Sequence, residues 1–109
     1  MRTHRRNSRP TIGLLTDWFE SSYEATIYSG VASTAQEQDA NLICFVGGGL
    51  NEPYEHIAQR NVVYDLVGKE NVDGLVVSSG VLSNYVTPEV FKAFLEQYDV
   101  LPMVSIALE

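Results

Sequence analysis

The sequence predicts an α/β fold, a doubly wound parallel sheet with strand order 2-1-3-4, and three observations carry that prediction. Four short apolar runs, at 11–15, 42–46, 72–77 and 101–106, each read as strands, and all are too continuous to alternate between core and water. Between them lie segments of helical period, so the order is strand-helix three times and then a closing strand, the pattern of right-handed parallel crossovers with helices on both faces. Finally, 109 residues suffice for one domain, which at this size buries roughly two-thirds of the surface its unfolded chain exposes.

Residues 1–9 show no hydrophobic periodicity and hold four of the seven basic residues, Arg2, Arg5, Arg6 and Arg9, so they read as a disordered basic tail. The domain begins at Pro10. The run Thr11-Ile-Gly-Leu-Leu15 is a central strand, and Asp17, Trp18 and Phe19 follow where it ends. Ser21 and Glu24 have capping-box spacing, and Ala25, Tyr28, Val31, Ala32 and Ala35 recur at helical intervals up to Gln38. Gly30 inside that helix suggests close packing of helix on sheet.

Asn41 opens the second strand, which stops at Gly47-Gly48-Gly49. Three glycines permit a tight turn or a mobile loop, and they match neither the dinucleotide nor the phosphate-loop pattern. Tyr54, Ile57, Ala58, Val62, Val63, Leu66 and Val67 suit a second helix over 53–67, irregular before Gln59, with Gly68 as its left-handed cap. The third strand, 72–77, exits through Ser78-Ser79-Gly80 into a polar-aromatic loop containing Asn84 and Tyr85. Thr87 and Pro88 have N-cap and first-turn chemistry for a third helix carrying Val90, Phe91, Phe94, Leu95 and Tyr98. Leu101 to Ile106 is the fourth strand, with its proline near the start, where a missing donor is tolerated.

In an open α/β sheet, ligands lie outside the carboxyl ends of the strands, at the point where the strand order reverses. With order 2-1-3-4 that point lies between the first and third strands, so the loops 17–22 and 78–85 face one another. A carboxylate at Asp17 beside the rings of Trp18 and Phe19 suits a small polar ligand, and the competing reading is that the two rings only cap the core.

Other chemistry is poorly represented. His56 stands alone in the domain, Ser79 is not in a nucleophile elbow, and the single Cys44 excludes an internal disulfide or a thiolate metal cluster and packs as a small apolar side chain. A phosphoacceptor domain requires an aspartate where Ser78 stands. The chain beyond Arg9 has three basic residues against fourteen acidic ones, so its folded part repels a phosphate backbone and is not expected to bind nucleic acid. No apolar run approaches the roughly 18 residues of a membrane span.

The wording of Thr11-Ile-Gly-Leu-Leu15, Tyr28-Ser-Gly-Val31, Asn41-Leu-Ile-Cys44, Asn71-Val-Asp-Gly-Leu-Val-Val77 and Leu101-Pro-Met-Val-Ser105 resembles the first lobe of type I periplasmic sugar-binding proteins and the ligand domains of lactose-repressor-like regulators. It is most similar to the sensing domains of multidomain bacterial signalling proteins. The resemblance implies two lobes closing on a sugar- or nucleoside-like molecule, with Trp18 and Phe19 stacking on it and Asp17, Ser79, Asn84 and Tyr85 as its remaining contacts. It also implies that residues 10–109 are a first-lobe fragment, with no helix-turn-helix, second lobe or fifth strand. The expectation is therefore a cytoplasmic, non-enzymatic ligand sensor without cofactor or metal, whose fourth-strand edge or helix faces pair two copies into a homodimer. The alternative is a dimerisation module with a vestigial cleft.

Overall fold

The computed structural model describes residues 9–17 and 22–106. Strands β1 (Thr11–Thr16), β2 (Asn41–Val46), β3 (Gly74–Ser78) and β4 (Met103–Ile106) form one parallel sheet in the order 2-1-3-4. Helices α1 (Ser22–Glu37), α2 (Glu55–Ala58), α3 (Ser79–Leu82) and α4 (Pro88–Glu96) connect them, with a 3₁₀ segment, Gln59–Leu66, continuing α2. Among the described residues no helix is long and apolar enough to cross a membrane.

β1 and β3 are the inner strands. Leu14 and Leu15 have opposite orientations on β1 and are both fully buried, as a strand covered on two faces requires. The register Ile12↔Gly74, Leu15↔Val77 and Leu75↔Met103 starts at a reciprocal contact: the Thr11 amide donates to the Asp73 carboxylate at 2.8 Å, and the Asp73 amide donates back to the Thr11 carbonyl at 2.7 Å. Asp73 thus locks the base of β3 to β1.

The two faces are unequal. Leu15, Phe45, Leu75 and Val77 pack under the 3₁₀ segment and α4, where Tyr64, Phe91 and Tyr98 complete the main core. Gly13 lies on this face because a Cβ there would stand 3.1 Å from Leu75, Phe45 and Val72. The opposite face carries α1, with Ala35 and Leu14 buried and Ile12, Val76, Val104 and Ile106 bordering an open groove.

Several expectations are corrected. The segment expected as a second helix is α-helical for one turn only, then 3₁₀. With three residues per turn, Ala58, Asn61, Tyr64 and Val67 align on the inner face, while Val62 and Leu66 are 67% and 65% exposed. Gly68 does not cap it in the left-handed region, since no described glycine has a positive φ. Asn71 does that work, donating to the Leu66 carbonyl at 2.6 Å and accepting from the Gly68 amide at 3.0 Å. Ser79 opens the one-turn helix α3 rather than a loop. The α4 cap is as expected, the Val90 amide donating to Thr87 Oγ1 at 3.2 Å, but Val90 itself faces out. Arg9, placed in the expected tail, reaches Asn41 at 2.7 Å and Asp39 at 3.3 Å, and Asp39 takes the left-handed conformation, φ 58°, that ends α1.

Two glycines likewise exchange their expected roles. Gly30 has open space around it rather than a packed sheet, whereas a Cβ on Gly47 would stand 2.6 Å from the Tyr64 ring. Gly30→Ala is therefore expected to stabilise the chain by up to ~1 kcal/mol through helix propensity. Gly47→Ala is expected to destabilise it by about 1–3 kcal/mol through overpacking. Urea unfolding of the two variants checks the opposite signs.

Candidate functional site at the carboxyl ends of the strands

The loop after β2 is packed against the 3₁₀ segment. Gly47, Gly48 and Gly49 are all buried, and the 3₁₀ segment grips their backbone. Asn61 accepts from the Gly48 amide at 2.7 Å and donates to the Gly49 carbonyl at 2.9 Å, while the Tyr64 hydroxyl donates to the Gly48 carbonyl at 2.9 Å. The Gly47 amide continues the β1–β2 ladder to the Thr16 carbonyl at 3.0 Å. A side chain at Gly47 would displace that grip, since its Cβ would stand 2.6 Å from the Tyr64 ring and 2.9 Å from Asn61 Oδ1. The loop also meets the exit of β3, the Leu50 amide donating to the Leu82 carbonyl at 2.9 Å and Asn51 Nδ2 to the Tyr85 carbonyl at 3.5 Å.

Of the predicted site residues, Asp17 stands half-buried at the end of β1, and its charge acts on Tyr64. Trp18 and Phe19 lie outside the described residues. Ser79 is fully buried, and its hydroxyl is engaged by Ser105 Oγ and by the Val77 carbonyl at 3.5 Å, so it joins β3 to β4 and is not open to a ligand. Asn84 and Tyr85 are exposed on the turn after α3, with Tyr85 turned toward Gly49. The loops at the switch point therefore contribute Asp17 on one side and the 84–85 turn on the other, with the glycine loop beside them.

Sequence reasoning missed two hydroxyls. Thr16 and Ser78 are 1% and 0% exposed, and among the described residues neither Thr16 Oγ1 nor Ser78 Oγ has a hydrogen-bond partner. They end the two inner strands, one residue beyond the Leu15↔Val77 pair, and by alternation both lie on the α1 face. The available signal was a hydroxyl residue closing each of the apolar runs Leu14-Leu15-Thr16 and Val76-Val77-Ser78. A buried hydroxyl without a partner costs about 1–3 kcal/mol, so two side by side mark a place where polarity is kept against stability.

The two buried phenols set the electrostatics behind the site. Burial pushes the Tyr64 phenol well above its ordinary value, the negative charge of Asp17 adds to that, and the Gly47 backbone opposes it. Tyr98, whose hydroxyl donates to the Tyr64 carbonyl at 2.8 Å, is pushed up to about 12 by burial and then by Asp65. The folded state thus holds both protons more tightly than the unfolded chain does. Their contribution to stability is complete below the ordinary phenol value of roughly 10 and declines as pH rises from there toward 12. A urea midpoint that begins to fall near pH ~10, and a Tyr98→Phe variant that is weaker at neutral pH but declines less steeply in alkali, are the expected results.

Comparison with protein-family models, with curated proteins and with solved structures finds no match for this chain, so its resemblance to a sugar-binding lobe rests on residue wording and strand order.

Proposed function

We propose that this chain forms one wall of a binding crevice for a small, hydroxyl-rich molecule of the sugar or nucleoside class, and that it serves as a ligand-sensing half-domain of a bacterial signalling or transcription regulator. The observation that carries the reading is the pair of buried, unpartnered hydroxyls Thr16 and Ser78 at the ends of adjacent inner strands, next to Asp17 at the switch point. A ligand hydroxyl that displaced what covers them would restore the hydrogen bonds their burial removes. The strand order supports the placement, because the crossovers diverge between β1 and β3 and leave the crevice open there. The glycine loop supports it as well, because Asn61 and Tyr64 hold its backbone at one side of the switch point.

Binding is favoured over catalysis because the hydroxyl of Ser79 is occupied by Ser105. His56, the histidine of the domain, stands with its ring 6.2 Å from that of Tyr54 on exposed α2. Asp17 and the hydroxyls then orient a ligand, and closure of a second wall over it is what a sensor transmits.

One wall encloses a small molecule only partly, so affinity for simple sugars and nucleosides is expected near the millimolar range, about 4 kcal/mol of binding free energy. Titration followed by amide chemical shifts should move Asp17, Thr16 and Ser78 together. Ser78→Ala should raise the ligand-free melting temperature by removing an unpartnered hydroxyl, while weakening binding by about tenfold, the loss of one hydrogen bond. Stabilisation with unchanged binding, or shifts confined to other surfaces across the whole panel, would sink the proposal.

A further inference from the structure

On the α1 face, helix α1 covers only part of the sheet, and beside it runs an open groove of about 780 Å³ floored by Ile12, Val76, Val104 and Ile106 and walled by Ile27 and Val31. Val104 is 60% exposed there. The uncovered floor is the width of β3 and β4, roughly 10 Å at the spacing of paired strands, and a helix with its side chains is about 10–12 Å across. One helix fits.

The charge pattern says which helix. The chain carries a net charge of −7, so two copies repel unless they meet through uncharged surface. Among the described residues the groove lining has no charge, and α1 has none from Ala25 to Gln36. The groove-side edge of α1 is small and evenly spaced, with Thr26, Gly30 and Thr34 four residues apart, and nothing stands within 4 Å of a Cβ built on Gly30. Its outward positions Ala25, Ser29 and Ser33 are also small and exposed.

We infer that the groove receives α1 of a second copy, the two helices lying antiparallel about a two-fold axis at Gly30. Each α1 then packs Ile27 and Val31 on its own sheet and Ala25, Ser29 and Ser33 on the partner's β3 and β4, while the Thr26-Gly30-Thr34 edges meet. A two-fold contact covers both grooves with the same patch, and glycine at the crossing permits an interaxial distance near 8 Å. The result is a layer of two helices between two sheets. The groove alone carries this assembly, whatever the crevice binds.

Light scattering after size exclusion at roughly 100 μM should give the mass of two chains, since a two-sided apolar contact of this kind is expected to hold at that concentration. Gly30→Glu, which sets two carboxylates at the axis, should raise the dissociation constant at least tenfold while leaving the far-ultraviolet spectrum unchanged, because the position is open in the monomer. In a Cys44→Ser background, Gly30→Cys should form an intermolecular disulfide readily, as that bond needs Cα atoms within about 7 Å, and Tyr54→Cys should not. A single-chain mass at that concentration overturns the inference and leaves the groove to another helix. A dimer indifferent to Gly30→Glu, or Gly30→Cys cross-linking no faster than Tyr54→Cys, overturns it equally.

Discussion

The handedness of the parallel crossover is the constraint on which the rest of this structure depends. A right-handed connection from β1 outward to β2 must place α1 on one face, and right-handed connections from β2 back to β3 and on to β4 must place the 3₁₀ segment and α4 on the other. Two consequences follow at once. The connections diverge between β1 and β3, the point where open α/β sheets bind their ligands, and among the described elements α1 is the one helix on a face four strands wide. The switch point and the groove are two results of the same chirality.

What keeps the crevice fixed is the grip of Asn61 and Tyr64 on three consecutive glycines. The phenol of Tyr64 is buried among backbone carbonyls, and Tyr98 in turn donates to the carbonyl of Tyr64, so α4, the 3₁₀ segment, the glycine loop and the end of β1 form one hydrogen-bonded chain. The Phe94 ring meets those of Tyr64 and Tyr98 edge to face, with centroids 5.8 and 5.5 Å away, which adds packing to the same chain of contacts. A loop that composition marks as flexible is in this way bonded to the 3₁₀ segment along its backbone.

The strand order, the parallel sense and the central position of β1 were legible in the sequence because they depend on continuous apolar runs and on the spacing between them. The 3₁₀ segment was not, because Val62, Val63 and Leu66 also satisfy a helical period of 3.6, and only the contacts of Asn61 and Tyr64 with the glycine loop show that three residues per turn is the period in force. Ser79 was legible as a polar residue at the right strand end but not as one already bonded across to Ser105, since that pairing depends on β4. Thr16 and Ser78 were hidden for the opposite reason. Each looks like an ordinary end to a strand, and only adjacency in the sheet makes the pair unusual.

The positions of those two hydroxyls connect the two surfaces. Thr16 and Ser78 share a sheet face with Ile12, Val76 and Ile106, and Ser78 pairs directly with Ile106, so the upper end of the groove floor is the underside of the crevice. α1 begins above the crevice and runs the length of the groove. A molecule that engages the hydroxyls acts on the same helix and the same strands that a second copy would contact, and thermodynamic reciprocity makes any effect of one occupant on the other equal in both directions. If the proposed site binds a ligand, the route from it to the assembly is one helix and two strands long.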